Sequence, residues 1–232
     1  MTHGTRQTGG AGRAAARWIL TAALFSLLAW ALPAQSARAE LDPGLIINEV
    51  LADPALDWNG DGLVDAKNDE WIELRNIDTV PIDLSQYWLR DSSSDTPDLQ
   101  LSGVADPDEH IVVFGSDSVA WQAAHGLSQT GFALNNTGDL VQLLRTIPGT
   151  DPVQYELMFA VSIYDHGAED DRSCGFDTAH VEWLLFDALN AYPGAVEPVG
   201  SGCPPSPGAP NVCGGQVANE PASFGAVKAT YR

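Results

Sequence analysis

Residues Asp57 to Arg75 read D-W-N-G-D-G-L-V-D-A-K-N-D-E-W-I-E-L-R, and this stretch decides the fold. Its first half alternates oxygen-bearing side chains. Asp57, Asn59 and Asp61 are followed at once by Gly62, and Asp65 lies four residues beyond Asp61. Calcium takes about six to eight hard oxygen ligands on a flexible backbone, and alternate positions of a tight loop turn inward to one point. Asp57, Asn59 and Asp61 fill the first, third and fifth places of such a loop, and Gly62 gives the turn at the sixth. The Leu63 carbonyl is the ligand expected at the seventh and Asp65 at the ninth. Val64, at the eighth, is expected to anchor the loop in the core. The twelfth place holds Asn68 where a helix-flanked calcium loop has Glu, so the closing carboxylate is sought in Asp69 or Glu70. Three converging aspartates disfavour mutual ionisation, which a divalent ion relieves. The expected ion is one structural calcium, its coordination filled by loop oxygens. The alternative is a metal-free turn rich in Asn, Asp and Gly.

The second half is an alternating strand. In Trp71–Asn76, Ile72 and Leu74 point one way and Trp71, Glu73 and Arg75 the other. Working outward, strands are expected at Gly44–Ala52, Tyr87–Asp91, Leu99–Leu101, His110–Phe114, Asp139–Thr146 and Val153–Val161, with a hairpin turn at Pro148-Gly149. A short helix is expected over Ser118–His125, capped by Ser116 or Asp117. Val181–Leu189 fits strand or helix. Short strands separated by Gly, Pro, Asn and Asp make this an all-β chain, a sandwich or barrel.

The N-terminus is separate from this pattern. Arg6, Arg13 and Arg17 precede an apolar run from Trp18 to Leu32, and Ala37-Arg38-Ala39 follows as an A-x-A site. That is the plan of a cleavable signal peptide over residues 1–39. The run of 15 residues falls short of the roughly 20 that a spanning helix needs. Retention as an anchor is the alternative. Export to a secreted, periplasmic or cell-surface location is expected, with no stable membrane span after cleavage. The remaining organisation is one domain at 40–196 and a Pro/Gly-rich tail at 197–232, partly packed on it.

Charge narrows the partners. The leader holds four of the 11 Lys+Arg residues and none of the 31 Asp+Glu, which leaves 7 against 31 afterwards, formally −24. Nucleic-acid binding gains affinity from Lys and Arg against phosphates, so nucleic acid is not an expected partner. Divalent cations and basic partners are favoured. The three cysteines, Cys174, Cys203 and Cys213, are disulfide candidates that leave one over; Cys203–Cys213 and Cys174–Cys203 are the competing pairs.

Several segments resemble a lamin-tail domain of the bacterial, exported kind. They are I-I-N-E-V-L-A-D-P (Ile46–Pro54), N-G-D-G (Asn59–Gly62), D-E-W-I-E-L-R-N (Asp69–Asn76) and P-I-D-L-S-Q-Y-W-L-R-D (Pro81–Asp91). H-I-V-V-F-G (His110–Gly115), G-D-L-V-Q-L (Gly138–Leu143) and P-G-A-P-N (Pro207–Asn211) also fit. Gln86 and Tyr87 stand where the family usually has Gly and Trp, and between Asp165 and Asn190 its pattern is hard to trace. The resemblance implies an immunoglobulin-like β-sandwich that acts as a non-catalytic accessory, binding or structural module. On the residues themselves, Asn48, Glu49, Glu73 and Asn76 are expected to cap turns or pair with backbone groups, because unpaired buried polar atoms are costly.

Catalytic signals are sparse. The chain contains no G-x-S-x-G, H-E-x-x-H or P-loop, and no histidine pair at ligand spacing. No catalytic residue is expected. Asp165, His166, Glu169, Asp170 and Asp171 form a second acidic run that would serve a hydrolase accessory or a divergent metal-dependent hydrolase; a solvated loop is the plainer reading. Trp58, Trp88, Trp121 and Trp183 would line a platform in a carbohydrate-binding module, against core packing as the plainer role. The partner is expected to be a protein or an envelope polysaccharide.

Overall fold

The computed structural model describes residues 44–93, 95–178 and 181–211. The expected leader, His180, Cys213 and the end of the tail lie outside them. In chain order the elements are β1 (Leu45–Leu51), α1 (Ala66–Asp69), β2 (Trp71–Asn76), β3 (Ile82–Asp83), β4 (Tyr87–Arg90), β5 (Leu99–Gln100), β6 (Val104–Ala105), β7 (His110–Phe114), α2 (Gly115–Ala124), β8 (Asp139–Thr146), β9 (Tyr155–Ile163), β10 (Ser173–Asp177) and β11 (Glu182–Phe186). Short 3-10 turns at Leu84–Gln86 and Asp165–Gly167 complete them. Two antiparallel sheets face each other, in the orders β11-β10-β1-β2-β7 and β5-β4-β8-β9; β3 and β6 form a small ribbon. The chain is an immunoglobulin-like β-sandwich.

The core follows from strand alternation. Ile47, Val50, Ile72, Leu74, Val113 and Cys174 come from the five-stranded sheet. Leu89, Leu99, Val141, Leu143, Val161 and Ile163 meet them from the four-stranded one. Each buried aliphatic side chain contributes about 1.5–3 kcal/mol by leaving water. The expected helix begins three residues early, at Gly115, and ends at Ala124. Asp117 sits inside its first turn and accepts a hydrogen bond from the Phe114 N–H at 2.9 Å. Only glycine fits at 115, because a Cβ there would lie 1.8 Å from the Lys67 carbonyl oxygen. The strand expected over Val153–Val161 runs from Tyr155 to Ile163, and Val181–Leu189 resolves into β11.

β10 has no counterpart in the sequence reading, yet it sits beside β1 within the sheet. Its residues S-C-G-F-D carry little strand signal. Gly175 is required there because a Cβ would lie 2.6 Å from the Phe186 ring and 3.0 Å from the Asn211 amide nitrogen.

The outer face of the same sheet is also buried. Ile46, Leu51, Trp71 and Phe186 are covered, and so are Glu49 and Glu73. A register shift between Ile47 and Glu49 makes Asn48 an extra residue in β1, so that Asn48 and Glu49 both stand opposite Glu73. The strap Ser206–Asn211 crosses this face and supplies donors. Ser206 donates its N–H and hydroxyl to Glu49 (3.3 and 2.8 Å to Oε2), and the Ser173 hydroxyl donates to Glu49 Oε1 at 2.5 Å. The Gly208 N–H and the Asn48 amide donate to Glu73. Asn211 donates to the carbonyls of Asn48 and Phe176. Asn76 closes the next corner: its amide donates to the Val80 and Ala105 carbonyls, and its oxygen accepts the Asp78 N–H. Cys174 is a buried free thiol, pushed up to about 12 by burial, whereas Cys203 is disulfide-bonded. The Cys174–Cys203 pairing therefore does not occur.

Burial, with the nearby Glu73 charge adding to it, raises Glu49 to about 8 from 4.5. The folded state thus holds a proton that the unfolded chain has released between those values. Stability from this group is complete below about 4.5 and is lost as pH rises through about 8. The slope approaches 1.4 kcal/mol per pH unit within that window, to order of magnitude. Glu49→Gln should flatten the fall of thermal stability between pH 5 and 8; an unchanged slope would show that Glu49 is not its source.

Candidate metal centre

The loop between β1 and β2 is built by its own side chains. Asp57 accepts from the N–H groups of Gly60 (2.8 Å) and Gly62 (3.1 Å). Asn59 accepts from the Asp61 N–H at 2.9 Å and Asp61 from the Leu63 N–H at 2.8 Å. Asp65 caps α1 by accepting from the N–H groups of Lys67 and Asn68, each at 3.0 Å. Gly60 and Gly62 have φ of +78° and +93°, a region that residues with a Cβ rarely adopt. No acid here accepts more than two hydrogen bonds on these turns, Asp65 taking both on one oxygen, while an ionised carboxylate offers about four acceptor sites.

Asp69 and Glu70 part company. Asp69 is fully buried and closes the loop by accepting from the N–H groups of Trp58 (2.9 Å), Asn59 (3.0 Å) and Asp65 (2.8 Å). Glu70 turns to the Leu134 N–H at 3.3 Å, so it does not close the loop. The unused acceptor is at the twelfth place instead: Asn68 Oδ1 is buried with no hydrogen-bond partner. Leu63 and Val64 are 68 % and 60 % exposed, so Val64 does not anchor the loop to the core as the sequence suggests. Asp171, across the β9–β10 connection, does so. Its carboxylate accepts from the Ala55 N–H at 2.9 Å and from the Trp58 indole at 2.8 Å.

Among the described residues, no three His, Cys, Asp or Glu side chains converge as a metal cluster. An ion in this loop would therefore draw on neutral oxygens as well: Asn59, Asn68 and the Leu63 carbonyl.

Glu70 belongs to a second acidic group that the sequence reading did not assemble. Burial raises it to about 9, and the charges of Asp91, Asp139 and Asp53 add to the shift. Asp98 is raised to about 7, by burial first and then by Asp91 and Asp139. Asp139 is held by the Ser92 hydroxyl and the Asn135 N–H, and Asp98 by the Asp91 N–H. The only signal in the sequence is positional: Asp91 and Asp139 stand at or next to a strand end, and Asp53 two residues beyond one.

The 165–171 run does not converge. Asp165 and His166 bond each other, His166 stacks on Tyr192, and Asp171 is engaged with the loop above. The tryptophans are dispersed too. Trp58 packs edge-on to Trp71, Trp88 edge-on to Trp121 and Tyr155, and Trp183 lies against Phe159 and Phe176. These are packing clusters, not one flat platform. No helix among the described residues is long and apolar enough to cross a membrane.

The Lamin Tail Domain family matches residues 39–156, just over half of the chain. No curated protein and no solved structure matches it. The matched span runs from β1 through the loop to the start of β9, the part whose motifs the strap and the buried glutamates hold together. On that match, the chain belongs to the lamin-tail-domain family of immunoglobulin-like modules.

Proposed function

We propose that this chain is a non-catalytic binding or structural module that works outside the cytoplasm and is steadied by one calcium ion. The observation that carries the ion is Asn68 Oδ1, a buried acceptor left without a donor at the place where the loop spacing calls for a ligand. Asp57, Asn59, Asp61, Asp65 and the Leu63 carbonyl would complete the donor set, all of them oxygens, as calcium requires. Asp69 would act from behind by fixing the Trp58, Asn59 and Asp65 N–H groups. The ion's part is to neutralise the loop aspartates and lock the β1–β2 connection. The leader-like N-terminus supports a secreted, periplasmic or cell-surface location, and family membership supports a role without catalysis. The surface charge favours a basic protein partner over an envelope polysaccharide.

Two outcomes test this reading. A ligand at a hundred times its dissociation constant stabilises by about 2.7 kcal/mol, which for a chain of this size is roughly 5–10 °C in melting temperature. The purified protein should melt higher by about that much in millimolar calcium than in excess chelator, and Asp57→Ala and Asn68→Ala should each reduce the difference. Equal melting temperatures with and without calcium would remove the ion from the account. The charge makes the second prediction. At low salt, where phosphate contacts are strongest, the protein should not retard duplex DNA in a gel; retention would overturn the expected partner class.

A further inference from the structure

A cavity of about 330 Å³ lies between the β4–β5 connection and the chain that follows α2. It is near the small end of ligand cavities, which run to about 300–1,000 Å³, and so suits a single side chain. Asp91 and Asp98 give it two buried carboxylates, and Pro97, Leu127 and Ala133 give it apolar wall. The walls are tied before any ligand arrives. The Ser118 hydroxyl and the Gln122 amide both donate to the Asp98 carbonyl, at 3.0 and 3.3 Å. Gln122 also exchanges two hydrogen bonds with the Gly131 backbone, each at 3.0 Å.

The Asp98 carboxylate is the informative group. Its residue is only 8 % exposed, and one oxygen accepts the Asp91 N–H at 2.8 Å. The other oxygen makes no hydrogen bond among the described residues, although Asp98 lines the cavity. That oxygen is not among the sealed, donorless atoms of the described residues, so it opens to the cavity and can accept there. A donor entering from the cavity would form a charge-assisted hydrogen bond with it. A bare metal ion fits poorly, because no metal-type cluster of side chains gathers here among the described residues and much of the wall is apolar. An ammonium or guanidinium on an alkyl stem fits both surfaces. Its methylenes meet Pro97 and Leu127, and its charged head meets Asp98 and Asp91. The formal −20 of the chain would draw such a group in from a distance.

We propose that this cavity receives a lysine or arginine side chain of a basic protein partner. The proposal is independent of the calcium loop, and it gives the binding-module reading a contact of defined chemistry.

The test is an NMR titration of the labelled full chain at pH 8, in calcium, with the Nα-acetyl methylamides of lysine, arginine and norleucine. The lysine and arginine compounds should give saturable shifts at the amides of Ser93, Leu127 and Thr130, and the norleucine compound none. Asp98→Asn keeps an acceptor for the Asp91 N–H and should weaken binding at least tenfold. Ser128→Lys, at an exposed position on the rim, should place a tethered ammonium in the cavity and abolish the shifts whether or not Asp98→Asn folds. Equal shifts with norleucine, no saturable shifts with lysine or arginine, or full binding in Ser128→Lys would overturn the proposal. Saturation of the same amides by calcium alone would do so as well, and would mark an inorganic cation site.

Discussion

Glu49 and Glu73 stand opposite each other on adjacent strands, both shut off from water, on the face of the sheet that does not meet the sandwich core. Two carboxylates so placed are tolerable only if donors surround them or a proton is shared into the site. The chain supplies both remedies. The Ser206–Asn211 strap brings a hydroxyl and two backbone N–H groups, the Asn48 amide adds a further donor, and Glu49 is pushed up to about 8. The bulge at Asn48, the bare backbone at Gly175 and the course of the strap all follow from this pair. Without the bulge Glu49 would point into the aliphatic core, and with a Cβ at 175 the Phe186 ring and Asn211 could not sit where they do.

Much of this was legible in the sequence. Alternation in Trp71–Asn76 gave both strand and facing, because period two is a property of the backbone. The polar residues of N-E-V and I-E-L-R-N read as backbone partners, which holds for Glu49, Glu73 and Asn76, whereas the Asn48 amide pairs with the Glu73 and Asn211 side chains. Two kinds of information were out of reach. β10 is a strand because its neighbours recruit it, not because S-C-G-F-D prefers to be one; tertiary packing overrides weak local preference there. The acidic group of Asp53, Glu70, Asp91, Asp98 and Asp139 joins positions far apart in the chain, and nothing in the spacing of single aspartates at strand ends announces that they meet.

The loop shows the same limit at short range. Its first five ligand places are set by alternation and by turns that each aspartate or asparagine makes with the backbone two or three residues on. The closing place is set by the strand that follows. Trp71 and Ile72 must enter the sheet, so the residues just before them are turned by β2 and not by the loop. Asp69 is thereby aimed back at the loop's N–H groups, and Glu70 outward to Leu134. Counting along the sequence could not separate those two neighbours.

The distribution of unused acceptors then distinguishes the acids that hold the fold from those that look outward. Glu49, Glu73, Asp69 and Asp171 each face donors from the chain itself, and an added cation would compete with bonds already made. Asn68 Oδ1 makes no hydrogen bond among the described residues, nor does the Asp98 oxygen that opens to the cavity; Asn48 Oδ1, beside the Glu49–Glu73 pair, is likewise without a donor. In a molecule with so few basic side chains, water or a cation from outside would serve the first two. The two sites differ in what surrounds the free oxygen. Around Asn68 are further oxygens on a backbone curled by the turns of Asp57, Asn59, Asp61 and Asp65, which suits a small hard ion. Around Asp98 are aliphatic walls and an open mouth, which suit a charge carried on a hydrocarbon stem. The chemistry of the neighbours, more than the number of acids, sets which cation each site would take.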